Sequence, residues 1–253
     1  MTTLAHDDGG YRFVPGISAY SGGVIAQPGH ELHRVTLGEW LPWRTGFEQI
    51  DAHLASVGRP RAALCAVDLR CNAPHAFDGF GSFNDEYRTL LDSWGVLVDD
   101  HNPVARTNVA PRDDPPDQTV IHAFTYTAPI AATISDSASF VVAGAGDLAD
   151  QSDLRPEAIV APGNTTAEGM AAKGTCVLDE MESRMGALGV GWADVTVTDV
   201  YTVEPLHQLL GTALVPRMGP AARQGVVWHA SRPPIAGLDF EMDLRGGCLE
   251  RWI

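Results

Sequence analysis

The sequence predicts an α+β chain built from two related halves in tandem. Three observations predict it. Strand-period and helix-period apolar patterns follow one another in the same order twice. Landmarks recur at one common spacing, Gly58 with Gly189 and Asp68 with Asp199. The chain has 253 residues, 45% of them hydrophobic, enough for two cores of ordinary size. The expected division is a first domain over 1–128, a linker over 129–139 and a second domain over 140–253.

In the first half, residues 19–26 (AYSGGVIA) read as a strand with a glycine turn, and 33–38 (HRVTLG) as a second short strand. Phe47, Ile50, Leu54 and Val57 fall at helical spacing, with Thr45 available as N-cap and Gly58 as the stop. Residues 63–70 (ALCAVDLR) read as a buried strand. Phe83, Tyr87, Leu90, Leu91 and Trp94 form the apolar face of a second helix capped by Ser82. The half closes on 102–111 (NPVARTNVAP) and the strand 119–127 (TVIHAFTYT).

The second half repeats this order. Residues 139–148 (SFVVAGAGDL) are strand and turn; Val177, Met181, Met185 and Leu188 mark a helix that Gly189 stops; 195–203 (VTVTDVYTV) is the next strand. A shortened helical piece near 205–210, the segment 219–234 and a closing strand over 237–246 (GLDFEMDLRG) complete it. An insertion around 162–169 (PGNTTAEG) and a loss from the second helix account for the unequal spacings, both at places where length changes are tolerated.

Composition bounds the partners. The 32 acidic and 17 basic residues give a net charge of −15, which repels nucleic-acid backbones and anionic membranes. The N-terminal residues carry neither a basic start nor an apolar stretch, and no run approaches the roughly 18–20 apolar residues of a span, so a cytoplasmic protein is expected. Cys65, Cys71, Cys176 and Cys248 form no C-x-x-C pair and are expected to be reduced core thiols. His30 and His33 lack partners at a ligating spacing, so no metal site is expected.

Two segments carry a family resemblance. One is F-x-x-F-x-S-F-N-D-E-Y-R over 77–88; the other is Asn102-Pro103-Val104-Ala105-Arg106, echoed by Pro220-Ala221-Ala222-Arg223. With the element order around them, these resemble the Rid (YjgF-type, reactive intermediate deaminase) family over nearly the whole chain, twice. The resemblance implies two chorismate-mutase-like domains, each a mixed β-sheet backed by two helices. It also implies a homo-oligomer, with a trimer favoured, whose clefts between units bind a small anionic metabolite without a cofactor.

The implied chemistry needs an arginine that clamps a substrate carboxylate and an acid that positions water at an imine carbon. Arg106 and Arg223 match the arginine; either could instead tie down its own loop. Strand alternation places Asp239, Glu241 and Asp243 on one face. If partly buried, one of the three would be held protonated. If that face is the solvated side of an edge strand, Arg245 or Arg232 would neutralise it. The family's acid aligns with Asp239 or Glu241, depending on one gap. The first half has no carboxylate on the corresponding strand, and His122 takes the nearest polar place.

Thr107 follows Arg106, where the family places Ser, Thr or Cys, whereas Gln224 follows Arg223. Asn84 and Tyr87 belong to a helix kept only in the first half, which leaves a composite site between unlike halves open. Trp228 and His229 are placed beside Arg223. The expected function is hydrolysis of a C–N bond in a carboxylate-bearing imine, enamine or amino-muconate. Non-catalytic binding of such a molecule, or lyase, ring-opening or cyclisation chemistry on the same fold, stands as the alternative.

Overall fold

A computed structural model describes residues 2–130 and 138–253, so most of the expected linker lies outside the described residues. Two sheets organise the chain. The first holds β1 (Leu4–His6), β2 (Tyr11–Val14), β3 (Gly23–Ala26), β8 (Phe140–Gly146), β12 (Glu241–Gly246), β9 (Val197–Tyr201) and β10 (Val227–His229), in that spatial order. The second runs β11 (Ser231–Arg232), β6 (Ala105–Pro111), β5 (Leu64–Arg70), β7 (Val120–Pro129), β4 (His30–Pro42) and β13 (Leu249–Trp252).

The sheets cross the expected division at 128/140. β3 pairs antiparallel with β8, so the first 26 residues extend the sheet of the second half. In return β13 pairs parallel with β4, and β11 antiparallel with β6. Period-2 patterning tells a strand which face is buried but not which distant strand it joins.

Three long helices flank the sheets. α1 (Trp43–Ser56) begins directly after Pro42, which places Thr45 inside the helix rather than at its cap; Gly58, at φ +69°, closes it. α2 (Phe77–Ser93) begins before Ser82, whose Oγ donates back to the Asp78 carbonyl at 3.1 Å. α3 (Ala167–Leu188) starts within the segment read as an insertion. It is capped by Thr166 Oγ1, which accepts from Gly169 N–H at 3.3 Å, and is stopped by Gly189 at φ +79°. Residues 207–224 form irregular helical turns rather than a fourth long helix. None of the described helices is long and apolar enough to cross a membrane.

Burial sorts these elements into four layers. Val177, Met181 and Met185 of α3 pack on Phe140, Val142, Val200 and Met242 of the first sheet. Phe47, Ile50, Tyr87 and Leu91 of α1 and α2 pack on Val67, Ile121 and Phe124 of the second. Between the sheets, Tyr11, Phe13, Leu32, Ala66, Ala105 and Ala143 form an apolar patch. The rest of that inner layer is polar. β12 is a central strand between β8 and β9, not an edge, so Glu241 and Asp243 point into the layer and both are buried.

One buried ion pair locks α3 to the strands. Lys173, fully buried, donates to Asp147 Oδ2 at 2.8 Å and to the Val160 carbonyl at 2.8 Å. Asp147 Oδ1 in turn accepts from the backbone N–H groups of Asp239 and Phe240, at 3.0 and 3.2 Å, and so fixes the chain as it enters β12.

Candidate active site

A narrow cleft opens where β6, α2, β8 and β12 meet. Arg106 of β6 and Glu241 of β12 both line it, together with Tyr20, Asn108 and Gly144, against an apolar wall that includes Phe80 and Leu238. The cleft is thus composite, with residues from both halves.

Arg106 is buried, which pushes its pKa down, yet a guanidinium stays charged under any ordinary condition. Its surroundings offset the lost hydration. The guanidinium lies 4.4 Å from the ring centroid of Tyr20, 4.8 Å from Tyr87 and 5.5 Å from both Phe80 and Phe83. Nη2 donates to Asn84 Oδ1 at 2.7 Å. Among the described residues Nη1 is buried without a partner, and so are both amide atoms of Asn108, two residues along the same strand face. Donors left unpaired at such depth are costly. A bound anion would satisfy them.

Glu241 faces the same space. Burial is the chief cause that pushes its carboxyl pKa well above the ordinary range; the nearby Asp243 charge adds to this, and Arg106 and Arg184 only partly oppose it. Burial thus favours the protonated form of an acid that stands next to a cation. Its place depends on Gly144, because a Cβ there would overlap Glu241 Oε1 and lie 3.2 Å from Cα and Cγ2 of Thr107. The glycine lets the two sheets approach with the carboxyl between them.

Behind Glu241, Asp243 Oδ2 accepts from Thr107 Oγ1 and from Tyr201 OH, each at 2.8 Å. Burial, then the charges of Asp199 and Asp68, raise its pKa to about 7, against Arg245 and the Tyr201 hydrogen bond. The Asp199 carboxyl is shifted the other way. It pairs with Arg245 and with His229 Nε2, which keep its carboxylate well below the usual range despite its burial.

The sequence-expected residues separate on this map. Arg106, Asn84, Tyr87 and Glu241 come together around the cleft. Thr107 faces away, between the sheets, onto Asp243. Asp239 precedes β12 and sits 3.2 Å from Lys173 Nζ in an ion pair outside the cleft lining. His122 Nδ1 accepts from Trp40 Nε1 at 3.1 Å, outside the cleft lining. Burial and the Arg70 charge push its pKa down to about 3, so it is neutral there. His229 stacks on Tyr201 at 4.7 Å and belongs to the Asp199 pair, while Trp228 is 49% exposed.

Arg223 is exposed on a 3₁₀ turn, away from that lining. Strand register explains the mismatch. β5 and β6 pair parallel with Asp68 opposite Thr107, and β9 and β10 pair parallel with Asp199 opposite Val227. On the expected correspondence of Asp199 with Asp68, the place of Arg106 falls on Val226. The letters of the P-A-A-R segment match the first half, but they lie ahead of the strand that would carry the side chain. Sequence reasoning also passed over Tyr20, Asn108 and Gly144. Asn108 alone left a signal, at the same-face spacing from Arg106.

Known proteins share this sequence pattern. Residues 3–251 match the family described as 2-aminomuconate deaminase CnbZ. A 2-amino-5-chloromuconate deaminase of Comamonas testosteroni is 42% identical over 242 residues, spanning 96% of this chain and 95% of its own. Among solved structures, a chorismatase is similar at TM-score 0.49 and 13% identity, over 89% of this chain and 77% of its own. A YjgF/YER057c/UK114 family member from Mycobacterium tuberculosis is similar at TM-score 0.27 and 18% identity, over 43% of this chain and 78% of its own.

Proposed function

The chain belongs to the 2-aminomuconate deaminase CnbZ family, and from that premise we propose that it hydrolyses the C–N bond of a 2-amino-dienedioate such as 2-aminomuconate, releasing ammonia and leaving a 2-oxo acid. The observation that carries the reading is the pairing, in one cleft, of a buried arginine with an unsatisfied Nη1 and a buried carboxyl, Glu241, whose pKa burial pushes up.

The carboxylate beside the amine-bearing carbon accepts from Arg106 Nη1 and from the Asn108 amide, which removes two buried unsatisfied donors. Asn84 and the four aromatic rings keep the guanidinium from turning. With the substrate fixed, Glu241 gives its proton to a carbon of the enamine. The C–N bond becomes an iminium, and the Glu241 carboxylate is stabilised by the adjacent cation. That carboxylate then takes a proton from the water that adds to the iminium carbon, forming a carbinolamine.

Glu241 next protonates the nitrogen. Collapse of the carbinolamine expels ammonia, and the hydroxyl proton returns to Glu241. Enamine plus water has become ketone plus ammonia, and the acid is restored. One residue serves as acid and base in turn because burial and Arg106 act on it in opposite directions, which brings its two protonation states closer in energy. The steps are proton transfers, addition of water and loss of ammonia, and the scheme routes each proton through Glu241.

The test is ammonia release across a panel of enzymatically generated 2-imino acids and amino-muconates, with Arg106→Lys as control. Turnover of the amino-muconates is expected, with kcat/KM lowered about 100-fold in the variant, because an ammonium lacks the planar fork of the guanidinium. Full activity in Arg106→Lys, or silence of the wild type across the panel, would remove the reading.

A further inference from the structure

A second, roomier pocket adjoins the cleft, and Tyr20 and Gln151 line both. Arg184 of α3 forms part of its wall. This side chain is buried and fixed: Nε pairs with Glu180 Oε1 at 2.6 Å, and Nη1 donates to the carbonyls of Ala143 and Gly144 at 3.0 and 3.3 Å. Its stem packs on Gly22, where a Cβ would lie 3.5 Å from Cδ and Nε. Those bonds engage Nε and Nη1. Nη2 donates to nothing among the described residues.

The acids on the same wall are already engaged. Glu180 is neutralised by Nε, and Asp150 Oδ1 accepts from Ser152 N–H at 2.8 Å and Ser152 Oγ at 2.6 Å. Arg184 and Arg106 stand in two pockets that meet at Tyr20, and the charges of both reach Tyr20 and Glu241. The site therefore offers two guanidiniums, one in each pocket, with the proposed acid within range of both.

We propose that Arg184 is a second carboxylate clamp: through Nη2 it holds the distal carboxylate of a substrate whose amine-bearing end sits on Arg106, and so selects dicarboxylates over monocarboxylates. The identity of the reacting end rests on the deaminase reading. The clamp itself is tested without turnover. Muconate and sorbate share a six-carbon diene and differ by one carboxylate, and neither carries an amine.

In calorimetric titration the wild-type protein is expected to bind muconate about 10- to 100-fold more tightly than sorbate, as a charge-assisted contact implies. Arg184→Gln should abolish that preference while sorbate affinity stays unchanged, and Arg184→Lys should retain only part of it. Equal affinities in the wild type overturn the proposal. So does a preference that survives Arg184→Gln or, should that variant not fold, one left whole in Arg184→Lys. A preference for muconate without ammonia release from 2-aminomuconate would sink the deaminase reading and leave the clamp standing; release without the preference would do the reverse.

Discussion

Gly144→Ala isolates the geometry on which the site depends. The added Cβ would overlap Glu241 Oε1 and come within 3.2 Å of the Thr107 backbone, tighter than the 3.4 Å at which ordinary contact begins. Thr107 cannot retreat, because its Oγ1 is bonded to Asp243 Oδ2 and accepts from the Gly144 N–H at 3.1 Å. The Glu241 carboxyl must therefore turn out of its place. Overpacking of this kind costs about 1–3 kcal/mol of stability. A misplaced general acid costs about 10²–10⁴ in kcat.

Denaturant melts and steady-state ammonia release would measure the two effects separately. A cycle with Glu241→Gln joins them: if the methyl acts through Glu241, Gly144→Ala should add little further loss of kcat in the Glu241→Gln background. Near-wild-type turnover in Gly144→Ala, or fully multiplicative losses in the double variant, would refute the placement of the acid.

Other perturbations test the buried charges. Asp243 has a folded pKa raised to about 7. Between about pH 4 and 7 the native state holds a proton that the unfolded state has released, so its contribution to stability falls as pH rises through that window and is flat above it. Asp243→Asn keeps an acceptor for Thr107 and Tyr201, so it should gain on the wild type by up to about 4 kcal/mol between pH 4 and 7.5 in urea melts; a constant difference would contradict the burial argument. Lys173→Met leaves Asp147 buried without its cation and should destabilise the chain by about 3–5 kcal/mol, lowering the melting temperature whether or not activity survives. A loss under 1 kcal/mol would show the pair to be expendable.

Local order was legible in the sequence, while pairing across the chain was not. Gly58 and Gly189 marked helix ends because their positive φ is a local demand, and Val177, Met181 and Met185 marked an inward face because the core reads helical period. The alternation of Glu241 and Asp243 with Phe240, Met242 and Leu244 was equally plain, and it holds in the structure. The letters could not tell whether that polar face meets water or another sheet.

The same lack of long-range information explains Arg223 and the exchanged strands. A four-letter motif matched the first half without carrying its register, and β1, β2 and β13 join the sheets through partners more than a hundred residues away or through neighbours that do. Tyr20 and Gly144 reach the cleft by that route as well. Each is ordinary in its local sequence, and each matters through what folds against it.

The proposed deamination depends on Glu241, beside Arg106, to move its protons. The variant to measure is Glu241→Gln, by kcat for ammonia release from 2-aminomuconate, because the amide keeps the size of the native side chain but can neither give nor take a proton. A fall in kcat of at least about 100-fold is expected, with KM and folding unchanged. Wild-type kcat in that variant would contradict it.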